Sequence, residues 1–159
     1  MKIDVGDYQI EKVTEQTGAF PFGALYPAHR AEMSDAFAAS PAEVSIHSWV
    51  VRSGEHLVVI DTATGNGRNR DNKPLFHQLN TPYAEHLTRA GVDPAAVTLV
   101  LMTHIHTDHV GWNTHWHNGQ WQPMFPNARY ICSALELQQC QQDPALQELY
   151  RDSILPLIE

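Results

Sequence analysis

Three histidines and one aspartate lie within six consecutive positions of this 159-residue sequence. They are His104, His106, Asp108 and His109, and they follow the apolar run at residues 97–101. Imidazole nitrogens and carboxylate oxygens are the ligands that Zn²⁺ and related divalent ions accept. If the apolar run is a strand, the loop after it brings these side chains to the surface. The cluster therefore predicts a metal site that could carry out chemistry.

The spacing of the four residues predicts two metal ions. His104 and His106 are two residues apart, so in an extended or tightly turned segment both side chains project to one side and can bind one ion. Asp108 and His109 are adjacent, point differently from the first pair and suit a second ion. Two ions about 3.5–4 Å apart can share a hydroxide and bind both the attacking and the leaving oxygen of a reaction. The motif supplies two protein ligands to each ion, about half of what one metal needs.

A structural explanation of the cluster is also open. The chain contains ten histidines, so some can occur near a strand end by chance or serve as structural caps. For the four residues together the metal site is favoured, because a buried, unpaired aspartate beside three imidazoles would be costly without a cation.

The HxHxDH pattern at residues 104–109 resembles the metal-binding signature of the metallo-β-lactamase superfamily. An earlier segment, residues 57–65, ends in Asp-Thr-Ala-Thr-Gly and resembles a strand and loop of the same family. Residues 90–97 and 125–130 resemble the branch of lactonases and organophosphate hydrolases, which open lactone, ester or phosphotriester bonds. The resemblance runs from about residue 45 to 140 and is most specific in the HxHxDH core.

The resemblance implies a mixed α/β fold, the αββα sandwich of the metallo-β-lactamases, of which this chain would form the N-terminal half. It implies two divalent metal ions, zinc first of all, which would lower the pKa of a shared water to about 7 and so supply hydroxide for hydrolysis. Asp108 would bind one ion and relay a proton to the leaving oxygen. Asp61 would support a metal-binding histidine on the side of the ring away from the ion, without binding the ion itself. This contact would fix which ring nitrogen faces the ion. An ordinary turn carboxylate at a strand end is the alternative for Asp61.

One departure from the family pattern concerns the remaining ligands. After the motif, family members carry a third histidine for the first ion, a bridging aspartate and a last histidine. Residues 118–159 of this chain contain no histidine. We therefore expect residues 1–159 to be a single metallo-β-lactamase-like domain that is incomplete at the C-terminus, with little or no hydrolysis by itself.

Two other functions remain open from the sequence. The first is a catalytically incomplete metal-binding fragment, which the absent ligands favour. The second is an iron-dependent oxidoreductase, because similar ligand sets hold iron in relatives on the same scaffold. Half of a two-sheet sandwich would leave an apolar face exposed, so we also expect a homo-oligomer or an association with the missing C-terminal half.

Composition restricts the partners of the chain. A net charge of −8 with only ten basic residues argues against a nucleic-acid surface and favours a small, neutral or modestly polar substrate. The longest apolar runs are about five residues, far below the length of a membrane span. No secretory segment follows Met1, so the sequence predicts a soluble, cytoplasmic protein.

Several further residues are candidates for binding or packing. A rigid aromatic loop could cover a hydrophobic substrate pocket, although core packing or a lid fits it equally well. The proposed pocket residues are Phe20, Phe22, Tyr26 and Trp112. His115 and His117 repeat the spacing of the motif pair, but the Asn-Gly turn after them predicts a hairpin and favours exposed loop histidines. Cys132 and Cys140 are predicted to be free thiols.

The elements around the motif follow from the hydrophobic pattern. Residues 7–14 predict a strand, and residues 44–52 and 57–60 predict the two strands of a hairpin. A helix is expected to begin at Thr81, because threonine caps helices and the proline after it is favoured at the first helical position. Gly91 would end this helix before the strand that leads into the motif. This βαβ step would place the metal loop at the carboxyl end of a strand.

After the motif, the pattern predicts shorter elements. Residues 120–126 predict a loop rich in proline and aromatic residues, and residues 128–132 predict a short strand. Ser133 would cap a helix with Glu136 at its third position, the capping-box arrangement. A last helix would begin near residues 143–144.

Overall fold

A computed structural model describes residues 1–158, and eight strands and five α-helices lie in this range. The strands are β1 Lys2–Val5, β2 Tyr8–Pro21, β3 Pro41–Ser53, β4 His56–Ile60, β5 Leu99–Leu101, β6 Thr114–His117, β7 Gln120–Pro123 and β8 Arg129–Ile131. The α-helices are α1 Phe22–Leu25, α2 Asp35–Ala39, α3 Tyr83–Arg89, α4 Ala134–Gln142 and α5 Gln147–Leu149. Within the same residues, no helix is long and apolar enough to span a membrane.

One sheet carries the elements that position the motif. It has the strand order β1-β2-β3-β4-β5-β8, and β6 pairs with β7 in a separate hairpin. β3 and β4 are antiparallel, with Val50 opposite Val59, so the predicted hairpin is confirmed. β5 runs parallel to both β4 and β8, with Ile60 opposite Leu101 on the β4 side. Because α3 connects β4 to β5, the predicted βαβ step is confirmed, and the carboxyl ends of these strands lie side by side.

Two apolar clusters hold these elements together. In the first, Val50, Val59 and Val100 of three adjacent strands are fully buried and cluster with Tyr83 and Leu87 of α3. The second surrounds the motif, and its buried members are Met102, Ile105, Val110, Cys140, Leu149 and Ile154. A fully buried side chain of this size contributes about 1.5–3 kcal/mol. The backbone of the motif is therefore anchored by apolar neighbours on both sides of its histidines.

Between β3 and β7, the structure differs from the predicted elements only in detail. Helix α3 begins at Tyr83 rather than at Thr81. Gly91 has a φ of +71°, a left-handed conformation that glycine favours, and it ends this helix as predicted. Residues 120–126, predicted as a loop, contain strand β7, because the Asn-Gly turn before them has positive φ at both residues and closes a hairpin.

The C-terminal part differs more. The single helix predicted from residues 143–144 is a series of short 3₁₀, α and π-helical turns over residues 144–157. Ser133 stands at the N-terminal boundary of α4, but its side chain makes no capping hydrogen bond. The predicted capping box is wrong, because the Glu136 carboxylate accepts a hydrogen bond from the backbone N–H of Ile105 instead, at 3.0 Å. In a capping box, Glu136 would bind the backbone N–H of Ser133. Here it binds the N–H of a residue that is distant in sequence.

The end of β2, the start of β3 and the residues that connect them form a compact unit of their own, residues 16–45. Phe22 stacks on Phe37, with ring centroids 4.8 Å apart and 18° between the ring planes. Phe20 is half-buried and Tyr26 is 53% exposed. Contact between these aromatic residues and a substrate stays a prediction.

A buried ion-pair cluster joins the loop after β4 to the C-terminal turns. Arg70 donates to both carboxylate oxygens of Asp152, at 2.7 and 2.9 Å, and Arg68 lies 3.4 Å from the same carboxylate. Arg68 also donates to the backbone carbonyl of Thr114, and its guanidinium carbon lies 3.6 Å from the centre of the Trp121 ring. The loop after β4, which carries the two arginines, therefore has a structural role.

The two cysteines are free thiols, as predicted. Burial raises the pKa of Cys132 and raises that of Cys140 to about 11. Both side chains are therefore protonated at neutral pH and pack as small apolar groups.

Candidate metal centre

Two neighbouring loops, which follow β4 and β5, position the metal motif. The Thr62 N–H donates to the His109 carbonyl at 2.6 Å, and the Trp112 N–H donates to the Thr62 carbonyl at 2.7 Å. The loops approach so closely that a Cβ on Gly111 would lie 1.7 Å from the Thr64 carbonyl oxygen. Only glycine fits at this position, which explains the glycine after the motif.

The three imidazoles of the motif lie together at the end of β5. The ring centroid of His104 is 4.6 Å from that of His106 and 4.0 Å from that of His109. Burial, and then the two neighbouring imidazoles, lower the pKa of His104 below its usual value. Its ring is therefore neutral at pH 7, the state in which an imidazole binds a metal ion.

Asp61 lies behind the histidines at the end of β4. Its carboxylate accepts hydrogen bonds from Nδ1 of His109 at 2.8 Å and from the backbone N–H and hydroxyl of Thr103 at 2.8 and 2.7 Å. Burial opposes the charged form, but these hydrogen bonds outweigh it and lower the pKa of Asp61. Asp61 has a φ of +54°, a conformation rare outside glycine that tends to persist where the surroundings hold it in place for a function.

The hydrogen bond to Asp61 leaves Nε2 of His109 facing Asp108. The distance from Nε2 to the nearer Asp108 oxygen is 3.5 Å. Charge-assisted hydrogen bonds are shorter, about 2.7–2.9 Å. Two ligands that a tetrahedral ion holds at about 2.1 Å lie about 3.4 Å apart. The separation therefore fits a pair of ligands on either side of one cation.

The side chains of the motif offer imidazole nitrogens and a carboxylate. Imidazole and carboxylate suit zinc and its neighbours. Among residues 1–158, no group of three or more His, Cys, Asp or Glu side chains is placed to hold one ion. The structure places the rings of His104, His106 and His109 together, with an Asp108 oxygen 3.5 Å from His109 Nε2. The division of these four side chains between two ions stays a prediction.

The protonation of His109 predicts how metal binding depends on pH. Burial lowers the pKa of His109, but the carboxylates of Asp108 and Asp61 outweigh burial and raise it to about 9. The metal-free ring is protonated at pH 7, so an ion must displace a proton. Zinc affinity at this pair should rise with pH up to about pH 9, by up to about tenfold per unit.

Competition with a chelator between about pH 6.5 and pH 9 measures this dependence. The Asp61→Asn variant is the control, because it removes one of the carboxylates that raise the pKa of His109. Its zinc affinity should level off at a lower pH than that of the unmodified chain. A zinc affinity of the unmodified chain that is constant over this range would contradict the expectation.

Glu136 is a positioning residue that the sequence did not reveal, because its spacing from Ser133 imitates a local cap. It accepts the N–H of Ile105, whose side chain is only 1% exposed.

Glu136→Ala is expected to lower the free energy of unfolding by about 1–3 kcal/mol, because a buried donor loses its partner. Glu136→Gln keeps a carbonyl oxygen at this position and should lower the free energy of unfolding by less. Urea denaturation measures both, and equal stability of the alanine variant and the unmodified chain would contradict this role.

Trp112, proposed for the substrate pocket, lies in the core and is 6% exposed. Its Nε1 donates to Glu15 at 2.7 Å, and its ring stacks on Tyr83 with centroids 5.3 Å apart. Glu15 also accepts the backbone N–H groups of Thr64 and Gly65, so it ties the loop after β4 to the motif loop. A contact between Trp112 and a substrate stays a prediction.

His115 and His117, predicted as exposed loop residues, lie on strand β6 instead of in a loop. His115 is half-buried and His117 is exposed. The Asn-Gly turn that follows them is confirmed as the turn of a hairpin. The structure does not bring either residue to the HxHxDH motif by any hydrogen bond or ring contact within residues 1–158.

Comparison with known proteins identifies similar sequences and folds. The family model described as the metallo-beta-lactamase superfamily matches residues 42–153. AidC, a dizinc quorum-quenching lactonase, is 20% identical, with a TM-score of 0.65, and the match covers 90% of this chain and 47% of AidC. A probable metal-dependent hydrolase from Staphylococcus aureus is 17% identical, with a TM-score of 0.70 and coverages of 96% and 56%.

A mutant of B. thuringiensis AiiA, with N-decanoyl-L-homoserine bound at its active site, is 16% identical and has a TM-score of 0.62. The match covers 92% of this chain and 56% of AiiA. A comparison with curated protein sequences found no match. At these identities the likeness concerns the fold, and the chain spans about half the length of each of these structures.

Proposed function

Because the chain belongs to the metallo-β-lactamase superfamily, we propose that it is part of a metal-dependent hydrolase that opens a lactone, ester or phosphotriester bond. The observation that carries the proposal is the cluster of three imidazoles and Asp108 at the end of β5, with Asp61 behind it. The dizinc lactonase AidC, which shares the fold, supports zinc as the metal.

His104 and His106 would hold one divalent ion, and Asp108 and His109 would hold the other. When bound, such ions make hydroxide available at neutral pH and polarise the carbonyl or phosphoryl oxygen of the substrate. The ring of His104 is already neutral, whereas His109 must release a proton first. The two positions would therefore fill in different pH ranges.

Asp61 would act through His109. By accepting the Nδ1 hydrogen, it keeps that proton on Nδ1, so the proton that a metal ion displaces is the one on Nε2, which faces Asp108. Thr103 holds the Asp61 carboxylate in turn with two hydrogen bonds. Partners of this kind typically change metal affinity by about 10–100-fold.

Asp108 would transfer a proton from the nucleophile to the leaving oxygen. Burial favours its neutral form, but the neighbouring His109 outweighs burial and lowers the pKa of Asp108, so the carboxylate is charged at neutral pH. Its side chain is 37% exposed, which leaves it accessible to a reacting molecule. It can therefore accept a proton from the nucleophile and deliver it to the leaving oxygen.

Lactones are the first substrates to test. AidC is a lactonase in complex with a homoserine product, and AiiA has an acyl-homoserine at its active site. A neutral acyl-homoserine lactone also suits a chain with a net charge of −8, which would repel anionic substrates. Aryl esters and neutral phosphotriesters form the comparison classes.

The test is hydrolysis by the product of the complete reading frame that contains residues 1–159, loaded with zinc. We expect turnover of at least one of the three classes, and loss of turnover with a chelator and in Asp108→Ala. Residues 1–159 by themselves should be at least about 100-fold slower, because a metal position that is wrong by about 1 Å costs roughly that factor.

Two outcomes would contradict these expectations in different ways. A zinc-loaded complete protein that hydrolyses none of the three classes would contradict the proposed function. Ordinary enzyme rates from residues 1–159 would contradict the expected incompleteness and would show that other side chains complete the ligand set.

A further inference from the structure

The β6–β7 hairpin carries a second pair of histidines outside the HxHxDH motif. His115 and His117 are two residues apart on β6, so their side chains leave the same face of the strand. Their ring centroids are 5.9 Å apart, with 55° between the ring planes. Two imidazoles that bind one tetrahedral ion at about 2.1 Å have ring centres roughly 5 Å apart. A modest rotation of either side chain about its Cα–Cβ bond moves the ring centre enough to reach that distance.

The backbone that carries this pair is held in place. Asn118 and Gly119 have φ values of 50° and 82°, which suit a two-residue turn that matches the twist of the strands. On the other face of the hairpin, Trp116 and Trp121 pack edge to face, with ring centroids 5.1 Å apart. Arg68 lies 3.6 Å from the centre of the Trp121 ring. Binding an ion would therefore order side chains and not the backbone.

His115 is available to a metal ion. Its Nδ1 is buried and has no hydrogen-bond partner in the described part of the chain, so a turn of the ring breaks no hydrogen bond at that nitrogen. Burial, and then the neighbouring His117 and Arg68, lower the pKa of His115. The ring is therefore neutral at pH 7, as a metal ligand must be.

Side chains of the neighbouring strand can complete the site. Gln122 lies opposite His115 and Gln120 lies opposite His117, so both amides share the face of the histidines. Their carbonyl oxygens and water can occupy the remaining positions around an ion. Imidazole nitrogen selects Zn²⁺, Ni²⁺ or Cu²⁺ over Mg²⁺ and Ca²⁺, which prefer all-oxygen sites.

We propose that His115 and His117 form a second binding site for a divalent transition-metal cation such as Zn²⁺, separate from the HxHxDH motif. The site is independent of the proposed hydrolase function, because neither histidine belongs to the motif. With two imidazole ligands on a rigid hairpin, it binds its ion reversibly.

The test is a titration of the ¹⁵N-labelled chain with ZnCl₂, followed through the NMR signals of the histidine rings. We expect the signals of His115 and His117 to shift together. In His117→Gln, the zinc concentration that shifts His115 should rise about 100-fold, which is what a second linked ligand contributes. His117 is exposed, so this variant is expected to fold. His56→Gln replaces another exposed strand histidine and should leave the titration unchanged.

Two results would overturn the proposal. The first is that His115 and His117 keep their metal-free signals at zinc concentrations that shift the motif histidines. The second is that His115 shifts at the same zinc concentration in His117→Gln as in the unmodified chain. The reciprocal variant, His115→Gln, is followed through the NMR signals of His117 and tests the proposal independently. Either failure leaves the motif signals, and with them the proposed hydrolase, unaffected.

Discussion

Replacing Asp108 by alanine is expected to release one of the two zinc ions of the HxHxDH motif and to leave the other in place. A two-ligand site would become a one-ligand site, and the affinity gained from a second linked ligand is about 100-fold or more. His109→Ala should release the same ion, because its Nε2 lies 3.5 Å from Asp108. His104→Ala and His106→Ala should each release the other ion.

Equilibrium dialysis against zinc, followed by metal analysis of each purified variant, measures how many zinc ions each variant retains. Thr107→Ala is the matched control, because Thr107 lies between the two pairs and is not a candidate ligand. We expect its zinc content to equal that of the unmodified chain. Unchanged zinc content in all four ligand variants would remove the metal site from this motif.

Replacing Asp152 by alanine is expected to destabilise the fold strongly. Its carboxylate accepts two hydrogen bonds from Arg70 and lies 3.4 Å from Arg68. The side chains of Arg68 and Arg70 are 0% and 6% exposed, so neither charge can return to water. Breaking a buried ion pair by removing one partner costs about 3–5 kcal/mol, because a charge stays buried without compensation.

The free energy of unfolding in urea measures this effect. Glu148→Ala is the matched control, since it removes a carboxylate from an exposed ion pair with Arg151 in the same segment. Exposed pairs contribute about 0–1 kcal/mol. An Asp152→Ala variant no less stable than Glu148→Ala would show that the buried cluster does not hold the C-terminal turns.

The sequence predicted the parts of the fold that local patterns encode. The α/β fold class is confirmed, and so are the β3–β4 hairpin and the βαβ step into the motif. Alternating apolar residues, a helix-ending glycine and an Asn-Gly turn each act within a few residues of the chain. The four candidate ligands could be identified from the sequence for the same reason, because they lie within residues 104–109.

The contacts that position the motif could not be predicted, because their partners are far apart in sequence. Arg70 and Asp152 are 82 residues apart, and Glu15 and Trp112 are 97 residues apart. The pattern at Glu136 suggested a local cap, but the carboxylate contacts Ile105, 31 residues away. Spacing rules describe neighbours along one element and carry no information about which distant backbone donor competes for a side chain.

Zinc in the HxHxDH motif is the central claim, and anomalous diffraction from crystals of the zinc-loaded chain tests it most directly. At the zinc absorption edge we predict one peak about 2.1 Å from nitrogens of His104 and His106, and another at similar distances from His109 Nε2 and an Asp108 oxygen. The two peaks should lie about 3.5–4 Å apart. Zinc peaks elsewhere in the crystal, with none at these four side chains, would contradict the account.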